Sequence, residues 1–247
     1  MSPASYARTT VSERRPVHKV FTSRKGGVSE GAYASFNLAD RVGDDPAHVK
    51  ANRERLAQVL GLEASRFVWM EQIHSPTVTV VEGPSEDPIA ATDAVVTTQR
   101  GLALCVLVAD CVPVLLSDHE AGVIAAVHAG RMGARNGILR NTIEKMVELG
   151  ARPHAIHVLM GPAASGERYE VPRDLASDVE THLPGSRSTT AKGTPGLDIR
   201  SGLLRQCLSK GVTAVDADPR CTIEDEDFFS YRREGTTGRQ AGVIWLD

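Results

Sequence analysis

Cysteine is scarce in this chain of 247 residues, and the four cysteines have no short paired spacing. The N-terminal segment also lacks the apolar core of a secretory signal peptide. Structural disulfides form mainly in the oxidising compartments that secreted chains enter, so this sequence does not support them. We expect a cytoplasmic protein with reduced thiols. These are Cys105, Cys111, Cys207 and Cys221.

A long uninterrupted apolar run is also missing. The longest apolar stretch, 101–116, is interrupted by Asp110 and Pro113, whereas a membrane-spanning helix needs about 20 apolar residues. The formal net charge of -3 creates no positive field that would attract nucleic acid or anionic lipid. We therefore expect no membrane span and no nucleic-acid partner.

The order of predicted elements lacks strict alternation of strand and helix. Strand-like apolar runs are found at 17–22, 67–73, 77–82, 94–98, 102–108, 112–117, 122–128, 155–160, 212–215 and 241–246. Helical spacing follows Asp45 and stops at Gly61, covers 134–149 with Val147 on the apolar face, and returns after Pro172 and Asp198. The segment between the last two helices is rich in glycine, serine, threonine and proline and is predicted as a loop. This order predicts an α+β fold in which mixed sheets pack against helices in a single domain at 17–247. Residues 1–16 are polar and aperiodic, so we expect a disordered tail.

Two ionisable residues inside the apolar stretch, Asp110 and Cys111, indicate a functional site. A buried carboxylate without partners costs several kcal/mol, so Asp110 must reach a cleft, a cation or strong hydrogen-bond donors. Two other predicted strands end in histidine, at His74 and His128. The chain after His128 continues into Gly130 and a helical pattern, and the N–H groups at the start of a helix suit an anion.

His74, Cys111 and His128 match no compact zinc motif, because their spacing along the chain is long. One sulfur and two nitrogen ligands nevertheless suit a tetrahedral zinc ion with an open fourth position. Asp110 could then orient a ligand or accept a proton. From the residues alone, Cys111 is equally compatible with a nucleophile that uses His128 as its base.

The segment 22–29 contains a second candidate site. Gly26 and Gly27 permit unusual backbone geometry and can bring main-chain N–H groups close to a ligand. Arg24 lies beside them and supplies a cation. The loop is therefore a candidate for anion binding.

Taken together, the motifs show that the chain resembles the YfiH family, also called the laccase-domain or multicopper polyphenol oxidoreductase family. The resemblance spans nearly the whole chain. Its motifs lie at 22–29, 35–40, 42–45, 72–74, 109–113, 128–130, 161–162, 220–221, 228–233, 237–239 and 244–246.

The resemblance implies a YfiH-like α+β domain, distantly similar to the catalytic domain of cytotoxic necrotizing factor. It implies zinc held by His74, Cys111 and His128, with copper as the other candidate metal. It further implies a purine nucleoside phosphorylase that splits adenosine, inosine or methylthioadenosine with phosphate and also deaminates adenosine. The expected partners are these small molecules, and the expected state is a monomer or a homodimer.

The resemblance also directs the choice of residues for phosphorolysis. We expect Arg24 and the amides of Gly26 and Gly27 to hold phosphate, with Arg232 as a weaker candidate and Asn37 facing the ribose or the base. Many members carry Trp-Arg-Gly after His-Ala-Gly, whereas this chain has Arg131, Met132 and Gly133. If that tryptophan stacks on the base in other members, the preference or affinity for the base differs here, although Arg131 could supply a cation or stack through its planar guanidinium.

Three other classes stay open at the level of sequence. One is a copper-dependent polyphenol oxidase, although the chain lacks the clustered histidines that several coppers need. Another is a cysteine hydrolase acting on an amide or a cell-wall precursor through Cys111. The third is a protein that holds a metal without catalysis.

Overall fold

The structure, a computed structural model, describes residues 16–247. The tail predicted at 1–16 therefore lies outside the described residues except for Pro16, whose carbonyl accepts a hydrogen bond from Asp247 N at 3.3 Å. The strands are β1 (Val17–Phe21), β2 (Phe67–Val68), β3 (Val78–Val80), β4 (Ala94–Thr97), β5 (Ala103–Val108), β6 (Val112–Asp118), β7 (Val123–Ala129), β8 (His157–Met160), β9 (Arg187–Thr189), β10 (Pro195–Leu197), β11 (Ala214–Ala217) and β12 (Gln240–Leu246).

Six α-helices accompany these strands within the described chain. They are α1 (Pro46–Leu60), α2 (Arg131–Arg135), α3 (Ile138–Glu148), α4 (Arg173–His182), α5 (Ile199–Ser209) and α6 (Tyr231–Glu234). Three short 3-10 turns lie at Gly31–Tyr33, Ala64–Arg66 and Pro153–Ala155. The mixture of helices with parallel and antiparallel strand pairs confirms the predicted α+β fold.

Most strands belong to two mixed sheets. One sheet has four strands in the order β1-β12-β5-β2, and the other has six in the order β11-β8-β6-β7-β4-β3. Strands β9 and β10 form a separate antiparallel pair. Strands β6 and β7 run antiparallel at the centre of the six-stranded sheet, with Pro113 opposite His128 and Val112 opposite Ala129. This register places the start of β6 beside the end of β7.

The two large sheets pack face to face and are covered by helices on their outer faces. Between the sheets, Leu104 and Ile244 pack against Leu115 and Ile124. Successive residues of a strand point to opposite faces, so alternate residues of β5 and β12 pack outwards against α1. The layers are therefore helix, four-stranded sheet, six-stranded sheet and helices.

The largest apolar cluster lies on the outer face of the six-stranded sheet. Ile143 of α3, Val179 of α4 and Leu203 of α5 are buried against this sheet. Full burial of an aliphatic side chain of this size contributes about 1.5–3 kcal/mol to folding. The packing of these helices therefore restricts the motion of the strands that lead to the site.

Local signals explain where the longest helix begins and ends. The Asp45 carboxylate accepts a hydrogen bond from Ala47 N at 2.8 Å, and Pro46 occupies the first helical position. Gly61 ends the helix with φ of 68°, a left-handed conformation that glycine adopts at little cost. The predicted helix after Asp45 is confirmed at both ends.

Three predicted elements differ from the structure. The strand predicted at 67–73 stops at Val68, and the rest is a loop tied to neighbouring elements by side chains. The helix predicted at 134–149 is two helices, because Gly137 adopts a left-handed φ of 88° between them. Val147, predicted on the buried face, is 42% exposed. The β9–β10 hairpin lies in a segment predicted as a loop.

None of the helices in the described part of the chain has the length and apolar content needed to cross a membrane. The prediction of no membrane-spanning helix agrees with this finding.

Candidate functional site

Three side chains that are distant in sequence meet at one end of the inter-sheet core. His74 lies in the loop after β2, Cys111 in the turn between β5 and β6, and His128 on β7. Their ligand atoms all lie within 4.8 Å of one another. The Cys111 Sγ lies 3.9 Å from His74 Nε2, and the two imidazole rings meet edge to face with their centroids 4.7 Å apart.

A buried carboxylate, Asp93, organises this cluster from behind. Its Oδ1 accepts hydrogen bonds from His128 Nδ1 at 2.8 Å and from His74 N at 2.9 Å. Its Oδ2 accepts from Ser75 N at 2.6 Å and from Ser75 Oγ at 2.8 Å. Because Nδ1 of His128 is hydrogen-bonded to Asp93, the Nε2 of His128 is the nitrogen available to a metal ion.

The loop that carries His74 is fixed on its other side by Gln72. The Gln72 side chain donates to Leu107 O at 2.7 Å and accepts from Leu107 N at 2.8 Å, so it pairs with β5 as a strand would. His74 itself has a φ of 61°, which is uncommon for a residue other than glycine. The hydrogen bonds of His74 N to Asp93 and of the Gln72 side chain to Leu107 hold that conformation.

The backbone next to the cluster must be glycine. A Cβ at Gly130 would lie 2.6 Å from His74 Cδ2 and 3.1 Å from Cys111 Sγ. Any larger residue would therefore displace the two side chains. The close approach lets α2 begin immediately after β7.

The electrostatics of the cluster favour the thiolate form of Cys111. Burial alone would raise the pKa of this thiol, but His128 and His74 outweigh burial and lower it to about 6. Burial alone would lower the pKa of His128, but the Cys111 thiolate and the Asp93 carboxylate raise it to about 9. Elsewhere, burial raises the pKa of the Cys207 thiol to about 12. Cys111 is therefore suited to be a ligand or a nucleophile, unlike the buried Cys207.

The geometry and the donor types fit a single metal ion. Zinc binds nitrogen at about 2.0–2.1 Å and sulfur at about 2.3 Å, which places two nitrogens and one sulfur of a tetrahedral site about 3.3–3.6 Å apart. The three donor atoms, within 4.8 Å of one another, need to move only slightly to reach that spacing. One thiolate and two imidazoles also suit copper. His74, Cys111 and His128 therefore form a group that can hold a metal ion with one position left for a reactant.

The cluster lines a cavity of about 450 Å³. This volume lies within the range of about 300–1,000 Å³ that is usual for small-molecule sites. The walls carry two aromatic side chains, Tyr169 and Tyr231, and the Tyr231 ring is exposed. Four arginines also line the cavity, at positions 41, 131, 232 and 239.

Asp110, predicted as a catalytic residue, lines the cavity beside Cys111. Its Oδ1 accepts from Thr222 Oγ1 and from Ser230 Oγ, both at 2.7 Å, and its Oδ2 accepts from Arg232 N at 2.6 Å. These bonds tie the chain around 222–232 to the turn that carries Cys111. The carboxylate is held by neutral donors, which explains how a charge is accommodated at this position.

The segment predicted to bind phosphate is not among the residues that line the cavity. Arg24 is paired with Glu234 at 2.6 Å, and its Nε donates to Ala34 O at 3.0 Å. A Cβ at Gly27 would collide with Ser35 O at 2.2 Å, so this glycine serves close packing, and Gly26 adopts a left-handed φ of 91° in the same turn. The structure does not bring these three residues to the cavity.

Asn37, predicted to face a ribose or a base, is fully buried. Its Nδ2 donates to Asp44 Oδ2 at 2.8 Å, and its Oδ1 accepts from Ala39 N at 3.0 Å and from Arg239 N at 2.9 Å. The side chain is thus engaged with protein groups and does not line the cavity. The contacts of Asn37 hold the backbone of Arg239, which does line the cavity.

Two of the predicted substrate-binding residues do line the cavity. Arg131 lies at the start of α2, and Arg232 lies at the start of α6 with its guanidinium carbon 4.9 Å from the centre of the Tyr169 ring. Stacking of this kind orients the planar guanidinium. These two cations meet the predicted metal ligands in one cavity.

Sequence reasoning missed Asp93 and Arg239. Asp93 directly precedes the fully apolar strand β4 and is completely buried. The rule that drew attention to Asp110, that a buried charge needs partners, applies equally to Asp93. Arg239 belongs to a family motif at 237–239 but was given no role. Only the fold shows that it lines the cavity.

The fold and the site together define an α+β protein with a cavity lined by three side chains that could hold a single metal ion. A family model described as multi-copper polyphenol oxidoreductase laccase matches residues 18–247. The chain belongs to this family, which the YfiH-like solved structures also represent. The resemblance predicted from the motifs is confirmed.

Curated relatives match over nearly their whole length. A purine nucleoside phosphorylase of Corynebacterium glutamicum is 70% identical over 234 residues, which cover 94% of this chain and 95% of the relative. A purine nucleoside phosphorylase of Streptomyces griseus is 51% identical over 232 residues, covering 93% and 94%. One of Mycobacterium tuberculosis is 50% identical over 231 residues, covering 94% and 92%.

Solved structures share the fold. The protein YlmD of Geobacillus stearothermophilus superposes with a TM-score of 0.88 at 30% identity, covering 93% of this chain and 92% of that one. A Neisseria meningitidis protein of the family model DUF152 gives a TM-score of 0.83 at 36% identity, with 94% of each chain covered. These structures confirm the YfiH-like fold that was predicted.

Proposed function

We propose that the protein is a zinc-dependent purine nucleoside phosphorylase that acts on adenosine, inosine or methylthioadenosine. The observation that carries the proposal is the convergence of His74, Cys111 and His128 on one cavity of about 450 Å³. The names of relatives up to 70% identical support the reaction class. The partners are the nucleoside and inorganic phosphate, and we propose a cytoplasmic monomer or homodimer.

In this reaction a phosphate oxygen forms a bond to C1′ of the ribose, and the bond from C1′ to the base nitrogen breaks. The electron pair of the broken bond goes to the base, which takes up the proton of the hydrogen phosphate overall. A bound metal ion supplies a positive charge that polarises a reacting group. The chain supplies orientation through arginines and aromatic side chains on the cavity walls.

The same centre supports the proposed deamination of adenosine. An ion held by His74, Cys111 and His128 would lower the pKa of water, which is the chemistry that hydrolytic deamination of a purine requires. Asp93 contributes by holding His128 and the backbone of His74. Both reactions would then depend on the same three ligands.

The test is phosphate-dependent release of the free base. Metal-replete protein is incubated with inosine or with adenosine, with and without phosphate, and hypoxanthine, adenine and inosine are quantified by chromatography. We expect base release that requires phosphate and is lost in Cys111→Ala. Release no greater than that of Cys111→Ala would refute the proposal. Inosine formed from adenosine without phosphate measures the deaminase activity.

A copper-dependent polyphenol oxidase is a second candidate, favoured by the description of the matching family model. The three ligands can hold one copper ion. Metal analysis of the purified protein, combined with dioxygen uptake in the presence of a phenol, separates the two functions. Dioxygen uptake without any base release would favour the oxidase.

A cysteine hydrolase is the third candidate, favoured by the lowered pKa of Cys111, which is about 6 after His128 and His74 outweigh burial. Its signature is activity towards an amide that survives complete chelation and is lost on alkylation of the thiol. Loss of activity on chelation alone would favour the metal-dependent reaction.

A further inference from the structure

The cavity arginines differ in how firmly the protein holds them. Arg41 forms an ion pair with Glu71 and has a side chain that is 65% exposed. Arg131 makes no side-chain hydrogen bond with the described residues, 16–247. Arg239 is half-buried, and its Nη1 donates to Thr237 O at 2.8 Å and to Gly238 O at 2.9 Å. Arg239 is therefore the cavity arginine with the most firmly fixed position.

The backbone beneath Arg239 is also immobilised. Arg239 N donates to Asn37 Oδ1 at 2.9 Å, and Leu38 N donates to Arg239 O at 3.1 Å. The preceding Gly238 packs so closely that a Cβ would lie 2.8 Å from the Phe229 ring. Strand β12 starts at the next residue. The backbone that carries the Arg239 guanidinium is therefore held in place, as a preorganised binding group requires.

The charge of Arg239 is not neutralised by an ion pair within the described part of the chain. No carboxylate among residues 16–247 forms an ion pair with it, and its only side-chain partners there are the two carbonyl groups of Thr237 and Gly238. The charge of Asp110 acts on Arg239 without a hydrogen bond between them, and its carboxylate is engaged by Thr222, Ser230 and the backbone of Arg232. Guanidinium groups stay charged at neutral pH, so a half-buried guanidinium at a cavity wall favours an anionic ligand.

A second cation completes the site. Arg232 lies against the Tyr169 ring and forms no ion pair within the described residues. Its backbone N–H is bonded to Asp110, which precedes the metal ligand Cys111. Both arginines line the same cavity as Cys111. Two guanidinium groups offer the paired hydrogen bonds that a tetrahedral oxyanion accepts.

We infer that Arg239, with Arg232, forms the subsite for inorganic phosphate, which replaces the predicted site at Arg24, Gly26 and Gly27. This inference rests on the proposed phosphorolysis, because that reaction consumes phosphate. The thiolate of Cys111 acts on Arg239 and would oppose phosphate, and a divalent ion held by the three ligands would offset its charge. The subsite therefore places phosphate and metal in one cavity.

The experiment measures the phosphate dependence of the metal-replete enzyme. Initial rates are recorded with phosphate varied at saturating inosine and with inosine varied at saturating phosphate. The variants are Arg239→Gln, Arg239→Lys and Arg232→Gln, with Arg100→Gln as the matched control because Arg100 is exposed and does not line the cavity. Calorimetric titration with inorganic phosphate, without nucleoside, gives binding independently of turnover.

We expect Arg239→Gln to raise the KM for phosphate and to weaken phosphate binding by about 10- to 100-fold, as expected for the loss of charge-assisted hydrogen bonds. The KM for inosine should stay within about twofold, because the deleted contact is to the anion. Arg239→Lys should lie between the wild type and Arg239→Gln, since it keeps the charge without the planar fork. Arg232→Gln should show a smaller effect, and Arg100→Gln none.

An unchanged phosphate KM together with unchanged phosphate binding in folded Arg239→Gln would overturn the inference. If Arg239→Gln does not fold, as judged by circular dichroism, the same comparison is made with Arg239→Lys. Wild-type enzyme that binds phosphate but releases no base contradicts the proposed function instead. The titration of the variants still tests the subsite in that case.

Discussion

The two histidines of the cluster, His74 and His128, have very different surroundings. His128 is 3% exposed and donates to the Asp93 carboxylate, while His74 is exposed and is held through its backbone. Burial would raise the pKa of Asp93, but the bonds from His128 and Ser75 outweigh burial and lower it to about 2. Asp93 is thus a permanent anion that fixes the ring of His128 and the backbone of His74.

Replacement of Asp93 by asparagine tests that positioning role. We expect Asp93→Asn to lower the metal affinity by about 10- to 100-fold, because it removes the charge that holds the His128 ring. The measurement is competition for zinc with a coloured chelator. Asp87→Asn, at an exposed position, is the control. Equal zinc affinity in folded Asp93→Asn and wild-type protein would contradict this role.

Lys19 is a second unusual residue, outside the cavity. Its Nζ donates to His157 Nδ1 at 2.7 Å and to His157 O at 2.9 Å, and His157 Nε2 donates to Asp216 at 2.8 Å. Burial lowers the pKa of Lys19 to about 7, with Asp216 opposing the shift. An unfolded chain holds this proton up to a pH of about 10.4.

The lowered pKa predicts that stability rises with pH. Between about pH 7 and pH 10 the unfolded state binds more protons at Lys19 than the folded state, so the free energy of unfolding increases by roughly 1–2 kcal/mol from pH 7 to pH 9. Lys19→Met should remove this increase, and urea denaturation at several pH values measures it. The exposed Lys50→Met is the control. A Lys19→Met protein with the wild-type pH dependence would show that another group is responsible.

At the scale of elements, the site is built from irregular connections attached to regular strands. The 69–77 loop is joined to β5 through Gln72, and the turn before β6 is joined to the 222–232 segment through Asp110. The strands position these connections, and side-chain hydrogen bonds fix their conformations. Close packing at Gly130 then lets the connections meet.

Gly130→Ala tests this packing. The new methyl group would lie 2.6 Å from His74 Cδ2, so we expect the His74 ring to move and zinc affinity to fall at least 10-fold, with a smaller loss of stability. Zinc competition and thermal denaturation measure the two effects. Gly83→Ala is the control, because its methyl group would meet nothing within 4 Å. Full zinc affinity in Gly130→Ala would show that the cluster tolerates the displacement.

At the scale of the whole molecule, the site closes one end of the core between the two large sheets. His128 belongs to the six-stranded sheet, Cys111 lies in the turn between the sheets, and His74 follows a strand of the four-stranded sheet. A metal ion bound by all three therefore joins both sheets. Ligands that bind only the folded state stabilise it in proportion to their affinity.

Metal binding should accordingly raise the thermal stability of the entire domain. At a free zinc concentration of 100 times the Kd the gain is about 2.7 kcal/mol, which corresponds to a Tm increase of about 5–10 °C for a chain of this size. Calorimetry with zinc and with excess chelator measures the difference. Cys111→Ser should show almost no difference. A wild-type Tm that is the same under both conditions would argue against a metal ion at this site.

Much of the fold could be predicted from local patterns. The prediction of helix α1 was correct because Asp45 and Pro46 at its start and Gly61 at its end each act on the adjacent backbone. The predictions of the central strands were correct because buried β-strands consist of short apolar runs. The end of strand β2 at Val68 and the break at Gly137 were missed, since side-chain contacts to distant residues or a single glycine conformation decided them.

The sequence by itself determined the fold class and the family, and it predicted the three residues that the structure brings within 4.8 Å of one another. Those conclusions rest on local periodicity and on motifs that can be recognised without coordinates. Only the tertiary structure decided which charged residues share the cavity. It placed Arg24 against Glu234, Asn37 beneath Arg239, and Asp93 behind His128. The physical reason is that a charge is stabilised by its neighbours in space, and those neighbours are set by strand register and loop closure.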